Sequence, residues 1–220
     1  MAEQFTKGVA FIMEGDTEKV FYLVLLEWLC KKHSNYTLRK DADPSTGERY
    51  YVLENGNNRV LVKMNPVGTI SQITNSASWF ESRCYGEHKS IPWAAVLCYD
   101  TDGYQEPITK FYEGDWKELR KRLKKKAKEI IDMAAAADIE DTMLLDESSI
   151  FSYLGIEPVP IPSGSKGKRR MKKLFRLKGQ GCAYHEGTRA AQLIQSLDFN
   201  VIISQSPLPF EDLEKTCFPE

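Results

Sequence analysis

Three acidic residues of this sequence stand where acids can do chemistry. Glu14 follows the apolar run 9–13 and precedes Gly15, while Asp100 and Asp102 follow the apolar run 94–99. Two residues apart, Asp100 and Asp102 lean to the same side of an extended backbone, so both can address one ion or its water shell. Three carboxylates gathered in one small volume raise each other's pKa, and a hard divalent cation relieves that repulsion by taking oxygen ligands. The chemistry implied is the holding of a divalent cation, magnesium above all, by hard oxygen ligands. Against this stands an ordinary Asp-Thr-Asp-Gly turn, whose carboxylates merely accept backbone hydrogen bonds. Glu18, one helical turn beyond Glu14, either joins the site as a ligand or is a solvated acid at a helix start.

For these acids to meet, strands must end beside one another. Residues 8–13 read as a strand buried on both faces, and Asp16 or Thr17 then caps a helix whose Val20, Phe21, Val24, Leu25, Trp28 and Leu29 recur at helical spacing. The polar stretch 35–58 reads as an exposed hairpin or insertion, with 50–53 its one strand-like piece. A second strand is expected at 59–64, a second helix at 70–85, and the most apolar strand at 94–99. From Trp116 onward, Leu119, Leu123, Ala127, Ile130 and Ala134 form one stripe and predict a single long helix, with Lys117, Arg120, Lys121, Lys124, Lys125 and Lys128 opposite. Residues 156–162 suggest an edge strand and loop, and 188–197 and 210–217 short helices. Strands alternating with helices imply an α/β fold, a mainly parallel Rossmann-like sheet flanked by helices, with functional groups beyond the carboxyl ends of the strands. The division expected is a core at 1–145 and a smaller C-terminal extension at 146–220, packed on it.

Glu14-Gly15 after the first strand, combined with Asp-x-Asp after a later one, resembles the Toprim family. That fold is shared by topoisomerases, bacterial primases, OLD-type nucleases and RloB-like defence proteins. Val9-Ala10-Phe11-Ile12-Met13-Glu14-Gly15-Asp16-Thr17-Glu18 is similar to its first motif and Tyr99-Asp100-Thr101-Asp102 to its second, and the resemblance covers about 9–137. It implies Glu14 as general acid/base or metal-organising group, and Asp100 and Asp102 as ligands of magnesium or manganese. It also implies a role in antiviral, anti-phage defence, alongside a partner ATPase as in OLD-like systems. The chain departs from the RloB-like pattern at 150–154, where Phe151 stands in place of an acid; Asp146 and Glu147 are the nearby substitutes. No tyrosine fits a strand-passing role, and the extra domains of a topoisomerase would not fit this length, so that activity is not expected.

A second group of residues bears on the substrate. Lys166, Lys168, Arg169, Arg170, Lys172, Lys173, Arg176 and Lys178 crowd one stretch with Met171, Leu174, Phe175 and Leu177 interleaved. Such density suits a phosphate backbone, DNA or RNA, tRNA included; it equally describes a basic amphipathic helix covering the domain. Lys172 or Lys173 is placed to stabilise charge on a transferred phosphoryl group, and His185 to assist proton transfer. The basic run 120–128 reads as the solvated face of the long helix. A net charge of -1 conceals this asymmetry.

The remaining composition narrows the class. Apolar stretches fall short of the roughly 20 residues that span a bilayer, and residues 1–8 show no leader pattern, so a cytoplasmic protein without a membrane partner is expected. Five scattered cysteines without a CxxC pair indicate reduced thiols, not a zinc site or disulfide framework. The reading that results is a magnesium-dependent nuclease. Its rivals are a catalytically silent module that binds nucleic acid or a partner, and a nucleotide transferase or phosphatase.

Overall fold

In a computed structural model of the chain, residues 4–68, 70–101 and 113–219 are described. Six strands form one sheet: β1 (Lys7–Met13), β2 (Thr37–Ala42), β3 (Arg49–Asn55), β4 (Asn58–Pro66), β5 (Trp93–Asp100) and β6 (Glu129–Ala135), in the order β2-β3-β4-β1-β5-β6. β4, β1, β5 and β6 run parallel, whereas β3 is antiparallel to both β2 and β4. The fold is therefore the expected α/β class with a mostly parallel sheet.

The two faces of β1 explain its unbroken apolar sequence. Val9, Phe11 and Met13 join one core with Phe21, Leu25 and Leu29 of α1 (Asp16–Lys32). Ala10 and Ile12 join the other, with Phe80 and with Trp116, Leu119 and Leu123 of α3 (Glu113–Leu123). α2 (Ile70–Trp79), continued by a π-helical turn over Phe80–Gly86, lies before β5. A strand covered by helices on both faces has no solvent side to mark with polar residues. Gly8 is required by close approach: a Cβ there would lie 2.5 Å from the Trp93 ring on the neighbouring strand.

Beyond β6 the chain forms α4 (Ile139–Met143), α5 (Glu147–Leu154), α6 (Gly167–Leu177), a 3-10 turn at Gly187–Ala190, α7 (Ala191–Ser196), α8 (Phe199–Gln205) and α9 (Phe210–Cys217). Their apolar side chains belong to the same core as α1; Phe199, for example, packs against Phe21 and Trp28, with ring centroids 5.4 Å and 6.0 Å apart.

Three expectations need correction. The long helix from Trp116 ends at Leu123, and 129–135 is a strand, β6, paired with β5. Its Ile131 and Met133 face the α1 side while Ile130 and Ala134 face the α3 side, a period of two that the helical spacing of Ile130 and Ala134 concealed. The stretch 35–58 does form a hairpin, β2 with β3, but it has two strands where one strand-like piece was expected, and it extends the main sheet, Tyr51 and Leu53 reaching the α1-side core and Val52 the other. Residues 156–162 form no strand; Ile156, Val159 and Ile161 pack against the core as irregular chain. Among the described residues no helix is long and apolar enough to cross a membrane.

Candidate functional site

The parallel strands end together, and chain order decides which ends form a crevice. After β1 the chain turns onto α1 on one face; after β5 it reaches α3 on the opposite face. β1 and β5 are neighbours, so the reversal of direction falls between their carboxyl ends, the position where open α/β sheets bind ligands. Glu14 and Asp100 stand at this position, and the Asp100 backbone N–H donates to Glu14 Oε2 at 2.9 Å.

Three further acids close around them from the α1 side. Glu18, on the first turn of α1, is 7% exposed, and Asp138 and Glu140, just beyond β6, are 3% and 4% exposed. Burial, the charge of Glu14 and then that of Asp138 push Glu18 up to about 7. Burial and the charge of Asp138 likewise push Glu140 up to about 7, against the hydrogen bond it accepts from the Tyr184 hydroxyl at 2.8 Å. Asp100 is raised well above the ordinary carboxylate range by burial, then by Glu18, Glu14, Asp138 and Glu140 in turn. Five carboxylates thus share one electrostatic environment.

Their hydrogen bonds separate scaffold from reactive groups. Asp138 caps α4, its Oδ1 accepting from Asp141 N–H at 3.0 Å, while its Oδ2 accepts from Lys168 N–H at 3.0 Å at the start of α6. Gly167 makes that junction possible, because a Cβ there would stand 2.2 Å from Asp141 N and 2.4 Å from Asp138 Oδ1. Asp100 Oδ1, by contrast, is buried with no hydrogen-bond partner among the described residues. A buried oxygen without a donor is costly, and it is the type of atom a hard cation takes. Beneath the acids, Tyr22 and Cys98 hydrogen bond to each other and are held neutral, burial pushing phenol and thiol well up.

The residues singled out from sequence divide as follows. Glu14, Glu18 and Asp100 come together; Asp102 lies outside the described residues. Asp146 caps α5 and accepts from Ser149 and Asp198 N–H at 3.2 and 2.7 Å, a structural role, while Glu147 is exposed. Asp138 and Glu140, which the sequence reading did not single out, lie in the same electrostatic environment. They were legible only once 129–135 is read as a strand, for they then follow a strand end as Glu14 and Asp100 do.

The basic segment folds as α6, with Met171, Leu174 and Phe175 buried. Several of its cations are engaged internally. Lys168 and Lys172 both pair with Glu186, Arg170 pairs with Asp141, and Lys173 Nζ donates to Ser163 O at 2.6 Å. Lys166 is half-buried, and Arg169 and Arg176 are exposed. His185 is exposed and lies against Arg189, 3.4 Å from Nδ1 to the guanidinium, on the wall of a separate cavity. Among the described residues no three Asp, Glu, His or Cys side chains already form a metal-holding group. The five acids therefore offer the right donor type, hard oxygen, without a formed coordination shell.

No protein-family model matches the chain, and no curated protein matches it. Among solved structures it is similar to the 5'-methylthioadenosine/S-adenosyl homocysteine nucleosidase of Campylobacter jejuni, over 97% of this chain and 99% of that one, at 10% identity and a TM-score of 0.31. No family model, Toprim included, matches the chain, so the Toprim assignment is corrected to the plain statement of an α/β fold with a mostly parallel sheet. The physical reason is the brevity of the two motifs. A strand ending in Glu-Gly and another ending in Asp-x-Asp satisfy the general rule that parallel sheets carry polar groups at their carboxyl edge, without fixing a family. The defence role and the ATPase partner, which only that resemblance implied, go with it.

Proposed function

We propose that the chain is a divalent-cation-dependent phosphoesterase acting on nucleic-acid phosphodiesters, with Glu14, Glu18, Asp100, Asp138 and Glu140 as its acidic site. The observation that carries this reading is the convergence of five carboxylates on the β1/β5 crevice, one of them with a buried oxygen lacking any donor among the described residues. Crowded acids of this kind favour a cation, and oxygen-only donors favour magnesium or manganese. Asp100 and Glu14, at the carboxyl ends of β5 and β1, are the residues to hold it. A divalent ion supplies Lewis-acid stabilisation of charge on the phosphate.

The chain's own groups account for the rest. Glu18 and Glu140, both pushed up to about 7, are suited to give or accept a proton near neutral pH. Lys168, whose backbone N–H donates to Asp138 at the start of α6, brings positive charge to the edge of the acidic site, and Lys172 and the exposed Arg169 and Arg176 continue it along the helix. Cleavage of labelled DNA and RNA, tRNA included, with magnesium or manganese tests the reading. Asp100→Asn and Glu18→Gln should each lose about 100-fold or more of the rate while remaining folded. Undiminished metal-dependent cleavage by both variants would refute it.

A second reading, a phosphatase or phosphotransferase acting on nucleotides, is favoured by the internal pairing of Lys168, Arg170 and Lys172, which leaves fewer cations for an extended strand. Release of phosphate from mononucleotides, with phosphodiesters untouched, would select it.

A further inference from the structure

Residues of α5, α6, α7 and the segment 178–185, Tyr184 among them, line an open cavity of about 310 Å³. Gly179 and Gly181, at φ +141° and +91°, turn that segment around the opening. One wall is aromatic: Phe175 meets Tyr184 edge-on at 5.4 Å between centroids, and Tyr153 lies 6.3 Å from Phe175. Lys178, His185 and Arg189 line the remainder.

Lys168 and Lys172 share the Glu186 carboxylate and Arg170 pairs with Asp141, whereas the cations on this rim, Lys178 and Arg189, form no ion pair among the described residues; Arg189 lies 3.4 Å from His185 Nδ1. An aromatic wall beside unmatched cations suits a ligand with a flat ring at one end and a phosphate at the other. The volume lies at the small end of the roughly 300–1,000 Å³ of small-molecule sites, so it suits one such unit.

We infer that this cavity is a binding site for a nucleoside monophosphate unit, the base against Tyr153, Phe175 and Tyr184 and the phosphate between Lys178, His185 and Arg189. The site is separate from the acidic crevice and goes beyond the activity proposed there. It does share Tyr184 with that crevice, through the hydrogen bond to Glu140.

Calorimetric titration of the full chain with AMP, GMP, CMP and UMP in EDTA tests the inference without the acidic site's cation. At least one monophosphate should bind saturably, its nucleoside and inorganic phosphate each at least tenfold more weakly. Lys178→Gln with Arg189→Gln should weaken binding tenfold or more, at unchanged circular dichroism; if that double variant does not fold, Lys178→Gln alone should weaken it measurably. Asp100→Asn should bind as the parent does, even if it has lost cleavage. A 5'-phosphorylated dinucleotide that binds as tightly supports the end of a strand as the source of the unit, and one that binds tenfold more weakly supports the free nucleotide. No saturation by any monophosphate at millimolar concentration, equal binding of nucleoside and monophosphate, or unchanged binding in the folded variants would overturn the inference.

Discussion

Burial and the neighbouring carboxylates push Glu18 and Glu140 up to about 7, so both ionise across neutrality, and this gives the protein a pH dependence with a definite sign. Each has a folded pKa of about 7 against an ordinary 4.5, so its favourable contribution is complete in acid and is lost as pH rises from about 4.5 through 7. A shift of that size is on the order of 3 kcal/mol per group at most. The thermal midpoint of the metal-free protein should therefore fall between pH 5 and pH 8, and Glu18→Gln should flatten the decline; a parent and variant with parallel profiles would contradict the assignment. Magnesium should raise the midpoint more at pH 8 than at pH 5, because only the ionised acids attract it. Sequence revealed Glu14 and Asp100 because each follows an unbroken apolar run. It hid Asp138 and Glu140 because the strand before them did not look like one.

At the level of elements, that strand shows how two periodicities can overlap. Leu119, Leu123, Ala127, Ile130 and Ala134 satisfy helical spacing, and the alanines at 134–137 reinforce it. What the spacing omits is the second buried face, Ile131 and Met133, which a strand sandwiched between helix layers needs and an amphipathic surface helix does not. Arg120 and Asp132, read as opposite ends of one helix, instead meet across the α3–β6 turn with 2.8 Å between Nε and Oδ1. The junction of α4 with α6 carries its own prediction. Gly167→Ala forces a methyl group into Asp141 and Asp138, so it should cost about 1–3 kcal/mol or more in denaturant unfolding and depress activity by displacing Asp138. Trp116→Ala, removing a ring stacked 4.8 Å from Tyr99 in the other core, should cost about 3–5 kcal/mol yet leave the acidic cluster's pH profile in place. Equal stability of the glycine variant and its parent would show that α6 is not clamped there.

At the scale of the molecule, the sheet brings an acidic crevice and a basic helix to adjoining positions, and the two should respond differently to salt. Affinity for nucleic acid, if α6 contacts its backbone, falls linearly on a log–log plot against salt. Arg169→Ala combined with Arg176→Ala should lower that slope by about 2, with little effect on metal-dependent hydrolysis of a small phosphodiester. A slope that does not change would remove α6 from the interface. The overall architecture was legible because β1 and β5 are apolar almost throughout and β4 carries the apolar run 60–62. The placement of the basic residues was not, because charge alone does not say which cations a nearby acid will occupy; Glu186 and Asp141 take three of them.

The outer strand β2 has a consequence for how the protein behaves in a crowd. Its sequence, Thr37-Leu38-Arg39-Lys40-Asp41-Ala42, leaves one row of backbone donors and acceptors beyond the end of the sheet, a template on which another chain can stack. Lys40 is tied to Glu27 at 2.7 Å and Arg39 to Asp41 at 2.5 Å, so a strand arriving at that edge must strip water and partners from four charges before it can pair. The same residues that look featureless in a search for chemistry thus act as a bumper, keeping a six-stranded sheet from growing into a seventh strand borrowed from a neighbour.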